Sequence, residues 1–392
     1  MKNMTVRYSA TQFAFWACYT GTASFATTYL LGRGISSGTV GTLLAAAGLL
    51  SCLTQPILAG IADRARKNVL LPMLSIMTVL CITCFAAQFL PHLSPIAAGL
   101  FYMVGMWSSD AMVSLINALC VSYTQAGYAI NYGASRGIGS AASAATTLTL
   151  GILIARFGTV WMIVLLMGVR LLCLVSFCAY PKIEKVAKTE IQQESGCSVW
   201  AFFATYRWYC LSLIGILFLG MFHAMTENYM IAIMERLGGD SSHVGKALCI
   251  AMITGAPVIF FYERIHKRIS NAWLLRLAAC SFLLKAILFY FARTIGMIYA
   301  IQLLQMTSFS FLAPTEVAYA REKVAKADMV KGQAFITAAY ALGCSAGNFA
   351  GGHLLLSGVN TMLLWGIVMA ALGTLLLFLT VNKQDTRTQL PA

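Results

Sequence analysis

The chain has 392 residues, 59% of them hydrophobic and only 10% charged, where a soluble domain carries about a quarter charged residues. Water cannot solvate so apolar a surface, which excludes two or three soluble domains and implies an all-α, polytopic membrane protein. The net charge of +14 does not point to nucleic acid, because no basic cluster is interleaved with exposed aromatics and the charges sit at the ends of apolar runs.

Lys2 and Arg7 precede an apolar run reaching about Leu31. It is too long for a signal peptide and shows no clear cleavage site, so it reads as helix 1. Counting such runs predicts twelve transmembrane helices near 8–31, 37–61, 68–90, 95–122, 132–155, 158–180, 205–232, 243–262, 272–292, 296–319, 331–356 and 360–381. The longest polar segment, with Lys182, Glu184, Lys185, Lys188, Glu190 and Glu194, separates helices 6 and 7. The expected domains are therefore a six-helix bundle over 1–181, a cytoplasmic linker over 182–204, and a second six-helix bundle over 205–392 that ends in a short tail.

One half of the chain repeats the other. Asp63-Arg64-x-Arg66-Lys67 is echoed by Glu263-Arg264-x-His266-Lys267, and each copy closes an apolar run that began near a Val-Gly pair, Val40-Gly41 or Val244-Gly245. A duplicated apolar unit with a charged elbow at the same place in each copy is the pattern of a two-bundle membrane transporter.

With the N-terminus inside, the elbows, the linker, the segment from Arg321 to Lys331 and the tail hold most of the basic residues. Only Arg33, Arg156, Arg236, Lys246 and Arg293 remain outside. That asymmetry predicts a multi-pass protein of the cytoplasmic (inner) membrane with both termini cytoplasmic. The twelve cysteines are scattered through apolar segments, which predicts reduced, packed thiols, Cys81-x-x-Cys84 included.

Helix 5, opening with Gly133, Gly137 and Gly139, and helix 11, with Gly343-x3-Gly347-x3-Gly351, are rich in small residues. Such spacing lets helix backbones approach closely and predicts hinge-like surfaces between the halves. No nucleophile-base-orienter set, metal-ligand cluster or phosphate-binding loop is present, so neither an enzyme nor an ATP-driven pump is expected.

Charge inside a bilayer costs about 2.5–3.5 kcal/mol per residue on insertion scales, so each intramembrane survivor requires a partner or a wet cavity. The survivors are Asp110, Arg136, Arg170, His223 with Glu227, Arg276, Lys285 and Glu316. Asp110 beside Arg136 or Arg170, and Glu227 beside Lys285, are the expected couples for binding and releasing a proton, with fixed ion pairs as the alternative. His223 and Glu227 share one helical face. Arg276 and Glu316 read as boundary charges. On helix 1, Trp16 and Tyr19 are the aromatics placed to stack on a ring.

At the elbow, and over its whole length, the chain resembles the major facilitator superfamily. Ala59 and Arg66 stand where that family's signature expects glycines. In the family this loop latches the cytoplasmic ends of the halves, so the resemblance makes Asp63, Arg64 and Lys67, with Glu263 and Arg264 of the second copy, a cytoplasmic gate. Asp63 is expected near the start of helix 3, where its charge suits the helix dipole.

The chain is most similar to the branch of lactose, nucleoside and phenylpropionate permeases, through Thr54-Gln55-Pro56, Tyr132-Gly133-x-x-Arg136-x-x-Gly139-Ser140 and Gln302-Leu303-Leu304-Gln305. The proline-containing helix 5 motif of drug-proton antiporters is missing. Arg136 matches the substrate-holding arginine of lactose permease. The acidic partner of that arginine falls at neutral Asn117, and the helix 10 His and Glu fall on Gln305 and Ser308. Family topology places helices 1, 4, 7 and 10 around the cavity.

The resemblance thus implies Arg136, Asn117, Trp16, Tyr19, Gln302, Gln305 and Asn228 as substrate contacts, and Asp110, Glu227, His223, Lys285 and Arg170 as the coupling set. The function expected is secondary transport of a small polar or anionic organic solute by alternating access with proton symport. An uncoupled uniporter or exchanger, or an efflux transporter of the same fold, stays open, and a non-transporting receptor is the remaining alternative. The expected partners are the solute, a proton or another ion, and the bilayer, with no nucleic acid, metal or cofactor, for a monomeric chain.

Overall fold

The apolar runs fold as helices, and glycines, prolines and capping hydroxyls set their limits. The computed structural model describes residues 4–65, 67–183, 197–383 and 385, and every regular element among the described residues is helical. Lys2, Arg66, Arg387 and the linker charges from Glu184 to Glu194 lie outside the described residues.

Helix 1 of the sequence reading is two helices, α1 (Met4–Ser24) and α2 (Ala26–Gly32), which meet at Phe25. There follow α3 (Ser37–Arg64), α4 (Leu70–Ala86), α5 (Pro95–Gln125), α6 (Tyr132–Phe157) and α7 (Thr159–Cys178). A short α8 (Val199–Thr205) then leads into α9 (Arg207–Glu227), α10 (Met230–Glu235), α11 (Ser241–His266) and α12 (Asn271–Phe291). Helix 10 is broken into α13 (Ile295–Gln302), a 3-10 turn at Leu303–Met306, and α14 (Phe309–Lys323). The chain closes with α15 (Met329–Leu355) and α16 (Val359–Thr380).

Among the described residues, 10 helices are long and apolar enough to cross a membrane. The long helices α1 and α15 fall short because residues such as Gln12, Gln333 and Asn348 dilute their hydropathy. With these two the described residues hold twelve spans, an all-α fold of two six-helix halves.

The duplication is visible in local structure. Pro56 lies inside α3 and Pro257 inside α11, and each helix carries its acidic-basic pair, Asp63-Arg64 or Glu263-Arg264, in its last turn. The Ser94 hydroxyl caps α5 by accepting from the Ala97 amide, and 200 positions on Thr294 caps α13 through Met297. Gly158 (φ 87°) and Gly358 (φ 112°), again 200 apart, take the left-handed backbone that launches α7 and α16. Packing repeats as well: α1 lies on α6 and α7 as α9 lies on α15 and α16, and α4 lies on α5 and α7 as α12 lies on α14 and α16.

The chain forms two compact units, Met1–Lys188 with Asn228–Met252, and Thr189–Glu227 with Ile253–Ala392. Phe15, Leu74, Met112, Leu119 and Cys173 fill the core of the first unit. Ile76, Val175, Phe260 and Trp273 are more than half exposed. Apolar surface on that scale requires a lipid setting. All twelve cysteines are free thiols.

Two expectations are corrected here. The glycines of α15 face α9 of their own unit: a Cβ on Gly347 would lie 2.7 Å from the Met221 Cα, and one on Gly343 2.9 Å from the Leu217 carbonyl carbon. They serve close packing inside one half, where a methyl group has no room. Asp63 does not begin a helix. It lies in the last turn of α3, before α4 starts at Leu70, so the helix dipole opposes its charge there.

Candidate functional site

In the first unit, α1 and α6 approach closely because Gly139 has no side chain; a Cβ there would lie 2.7 Å from Trp16 Cδ1. This approach sets the Arg136 guanidinium 3.8 Å from the centre of the Trp16 ring. Arg136 Nη1 also donates to the Ser140 hydroxyl at 3.0 Å. Behind it a chain of hydrogen bonds fixes the indole: Trp16 Nε1 donates to Gln12 Oε1 (2.6 Å), Gln12 Nε2 to the Tyr8 hydroxyl (2.6 Å), and Tyr8 to the Ile116 carbonyl (3.2 Å). Tyr19 stands edge-on to Trp16 at 5.1 Å. Arg136, Trp16 and Tyr19 are half-buried, while Asn117 is exposed and accepts from the Tyr132 hydroxyl at 3.3 Å. The result is a preorganised cation on an aromatic face, a surface suited to an anionic or ring-bearing solute.

Asp110 makes no direct ion pair with Arg136 or Arg170, although Arg170 is near enough to act on its carboxylate electrostatically. Among the described residues its carboxylate makes no ion pair, and only its backbone carbonyl is bonded, by Gln55 Nε2 at 3.1 Å. The fully buried Arg170 reaches the neighbouring Ser109 hydroxyl, the Met112 sulfur at 3.8 Å and the Phe15 ring at 5.8 Å. One residue along a helix turns a side chain by about 100°, and that rotation sends the guanidinium to Ser109. The Thr54-Gln55-Pro56 motif ties α3 to α5, since Trp107 Nε1 also donates to the Thr54 hydroxyl at 3.0 Å.

The second unit builds its site at two helix breaks. α9 ends at Glu227, with Asn228 next in the break, and helix 10 loosens into the 3-10 turn after Gln302. Irregular backbone at such depth is tolerated where polar groups re-satisfy it. Here the Ser308 and Thr307 hydroxyls both return to the Leu304 carbonyl, at 2.8 and 3.3 Å.

Between the breaks lies Lys285 of α12, whose ammonium, 0% exposed, donates to Glu227 Oε1 at 2.9 Å and Gln305 Oε1 at 2.7 Å. This is the couple expected from the sequence, with Gln305 as a third member. His223, one turn before Glu227, stacks on Phe309 at 5.1 Å and 9°, its Nδ1 buried without a hydrogen bond. Gln302 is fully buried, its amide directed at Glu227.

The elbow residues lie where the two copies end their helices. Asp63 and Arg64 close α3, with Lys67 beyond, and Glu263 and Arg264 close α11. In the second unit the Arg264 guanidinium sits over Phe261 at 5.3 Å, and Tyr262 stacks on His266 at 5.7 Å. Beside them opens a cavity of about 450 Å³ whose other wall is Pro314, Val317, Ala318 and Arg321 of α14.

One residue is misread by sequence. Glu316 is no boundary charge but an internal carboxyl of α14, 8% exposed, with Oε1 lacking any hydrogen bond. Its signal was available: Leu312, Thr315, Tyr319 and Ala320 share its inward face at helical spacing.

The fold has known counterparts. The structure is similar to a point mutant of the nucleoside transporter NupG, with a TM-score of 0.84 at 14% identity over 97% of this chain and 100% of that one. A bacterial homolog of the human lysosomal transporter Spinster, inward-facing and unoccupied, aligns at 0.68 and 13% over 98% and 96%. A POT family transporter in complex with 5-aminolevulinic acid aligns at 0.71 and 16% over 97% and 96%. No curated protein sequence gives a significant match. The sequence profile of the MFS_1-like family matches residues 5–372. This chain therefore belongs to the MFS_1-like family, as a multi-pass membrane transporter and not an enzyme.

Proposed function

We propose that the protein is a proton-coupled symporter of the cytoplasmic membrane, both termini inside, moving a polar or anionic ring-bearing solute by alternating access of its two halves. The observation that carries this reading is the Glu227–Lys285–Gln305 cluster, a carboxylate and an ammonium 2.9 Å apart inside the second unit at two interrupted helices. A carboxylate with one movable cation gains a proton when that cation leaves it, which gives the ion a place to load. Arg136 on Trp16 supplies the complementary contact, a fixed positive charge and a π face for the solute. Asp63, Arg64, Lys67, Glu263 and Arg264 would latch the two halves on the cytoplasmic side.

The likeness to a nucleoside transporter makes uridine the first solute to try. In proteoliposomes, uridine accumulation should collapse with a protonophore. Glu227→Gln should reduce it to equilibration while leaving counterflow intact. Accumulation that survives both treatments would defeat the symport reading. A uniporter or exchanger of the same fold is supported by a different observation, since Lys285 is already neutralised in place and Gln305 and Ser308 are uncharged. Counterflow with no response to a proton gradient would select it.

A further inference from the structure

Glu316 has no role in the scheme above, and its surroundings are unusual for a carboxyl. Lys285 of α12 is engaged with Glu227 and Gln305, and Arg276 of the same helix with the Phe378 carbonyl at 3.3 Å. On its own helix, Glu322 accepts from Asn271 at 2.8 Å and Lys323 donates to the Lys383 carbonyl at 3.4 Å. Tyr262 and His266 of α11 stack on each other along one wall of the cavity. The titratable groups near enough to feel Glu316 are Tyr209 of α9 and Tyr340 and Cys344 of α15. No cation pairs with it among the described residues. A carboxylate so placed has nothing to offset its desolvation, whereas a carboxylic acid carries no charge to solvate.

Tyr340 links this group to the other carboxyl. Its hydroxyl is buried beside the Cys344 thiol, its ring stands 6.2 Å from His223 and 5.9 Å from Phe309, and both Glu316 and Glu227 are near enough to act on it. The series Glu227, His223, Tyr340, Glu316, Tyr209 thus runs lengthwise through the unit. Glu227 and Tyr209 alone are 18 residues apart on α9, about 27 Å of helix, close to the thickness of a hydrocarbon core at about 30 Å.

We propose that Glu316 is a second proton-binding site, neutral in the resting protein and placed toward the end of the unit that carries Tyr209 and Asp385. Protonation adds one proton to a carboxylate oxygen, and deprotonation returns it to water through the neighbouring hydroxyls; no other bond changes. A metal cation is a poorer occupant, since one carboxyl among phenols and a thiol offers no cage of oxygens and no metal-ligand cluster exists among the described residues. Its part in transport rests on the symport reading, but its protonation does not.

The test is infrared titration of the purified full-length protein without substrate, reading the carbonyl stretch of a protonated carboxyl. The band is expected at neutral pH in the wild type and in Glu227→Gln, lost in Glu316→Gln and displaced in Glu316→Asp. Thermal unfolding should leave Glu316→Gln near the wild type, since a neutral acid and an amide are close in size. A band that survives undiminished in Glu316→Gln, or is absent from the wild type, overturns the assignment. Uridine uptake indifferent to a protonophore would remove the symport reading alone, because the band is read with no solute present.

Discussion

The two units hold their buried cations by different means. In the first, Arg136 lies on Trp16 and Arg170 among Ser109, Met112 and Phe15, with no carboxylate in direct contact with either among the described residues, although Asp110 is near enough to act on Arg170. In the second, the buried Lys285 lies against Glu227, and the partly exposed Lys331 lies 3.3 Å from the buried Asp328. Arginine keeps its charge everywhere and is weakly hydrated, so rings and hydroxyls suffice to hold it. Lysine is a strongly hydrated point charge and requires an anion. The first unit is thereby suited to presenting a constant positive charge and the second to changing its charge, a division of labour that the proposed symport requires.

The sharpest way to break this comparison is to remove the Lys285 ammonium. Lys285→Met leaves Glu227 and Gln305 with an uncompensated buried carboxylate, and breaking such a pair costs about 3–5 kcal/mol. The double variant Lys285→Met with Glu227→Gln should recover most of that loss, since neither partner is then charged. Thermal unfolding in detergent measures both. If the single variant melts with the wild type, the pair is solvated and the contrast with Arg170 disappears.

How much of this could be read from residues alone follows the same division. Glu227 with Lys285 was legible because charges are so scarce in these helices that each demands a partner. Arg170 with Asp110 was not, because Ser109 and Asp110 differ by one step of helix rotation and a hydroxyl gives no hydropathy signal. The twelve spans and the duplication were legible from apolar runs and the repeated elbow. The breaks after Glu227 and Gln302 were not, since neither Glu227–Tyr229 nor Gln302–Ser308 contains a glycine or proline. The turn is held by Ser308 and Thr307 folding back on Leu304, an interaction that only the local backbone reveals.

A smaller effect is expected where the second unit repeats its lysine-carboxylate device outside the spans. Asp328, 0% exposed in the turn before α15, accepts from the Cys197 amide at 2.8 Å, the Cys197 thiol at 3.2 Å, the Tyr206 hydroxyl at 3.2 Å and Lys331. Burial pushes its carboxyl up, but the bonds from Cys197, Lys331 and Tyr206 prevail and hold it below the usual carboxylate range. A depressed carboxyl stabilises above its unfolded pKa of about 3.9 and loses that contribution as pH falls through the folded value. Asp328→Asn should therefore cost about 1.5–3 kcal/mol at neutral pH, the range for hydrogen bonds to a charged group. The gap to the wild type should close on acidification below the usual carboxylate range. A gap that stays constant with pH would mean the bonds serve the neutral acid equally well.

The smallest effect belongs to the same chemistry in water. Asp240, before α11 in the first unit, accepts from the Ser242 hydroxyl (2.7 Å), the Ser242 amide (2.9 Å), His243 Nδ1 (2.7 Å) and the His243 amide (3.3 Å). The Ser242 hydroxyl bond leads in holding its carboxyl down at about 2, against some desolvation. Its side chain is 56% exposed, so solvent screens these contacts and competes for them. Asp240→Ala should cost only what a lost helix cap costs, about 0.5–2 kcal/mol, and less than Asp328→Asn in the same unfolding assay. By the same linkage, the difference from wild type should shrink only as pH approaches the folded value near 2. Were Asp240→Ala the more damaging of the two, the number of hydrogen bonds and not their burial would govern these carboxylates, and the contrast drawn between the buried lysine pairs and the arginines on rings would lose its physical basis.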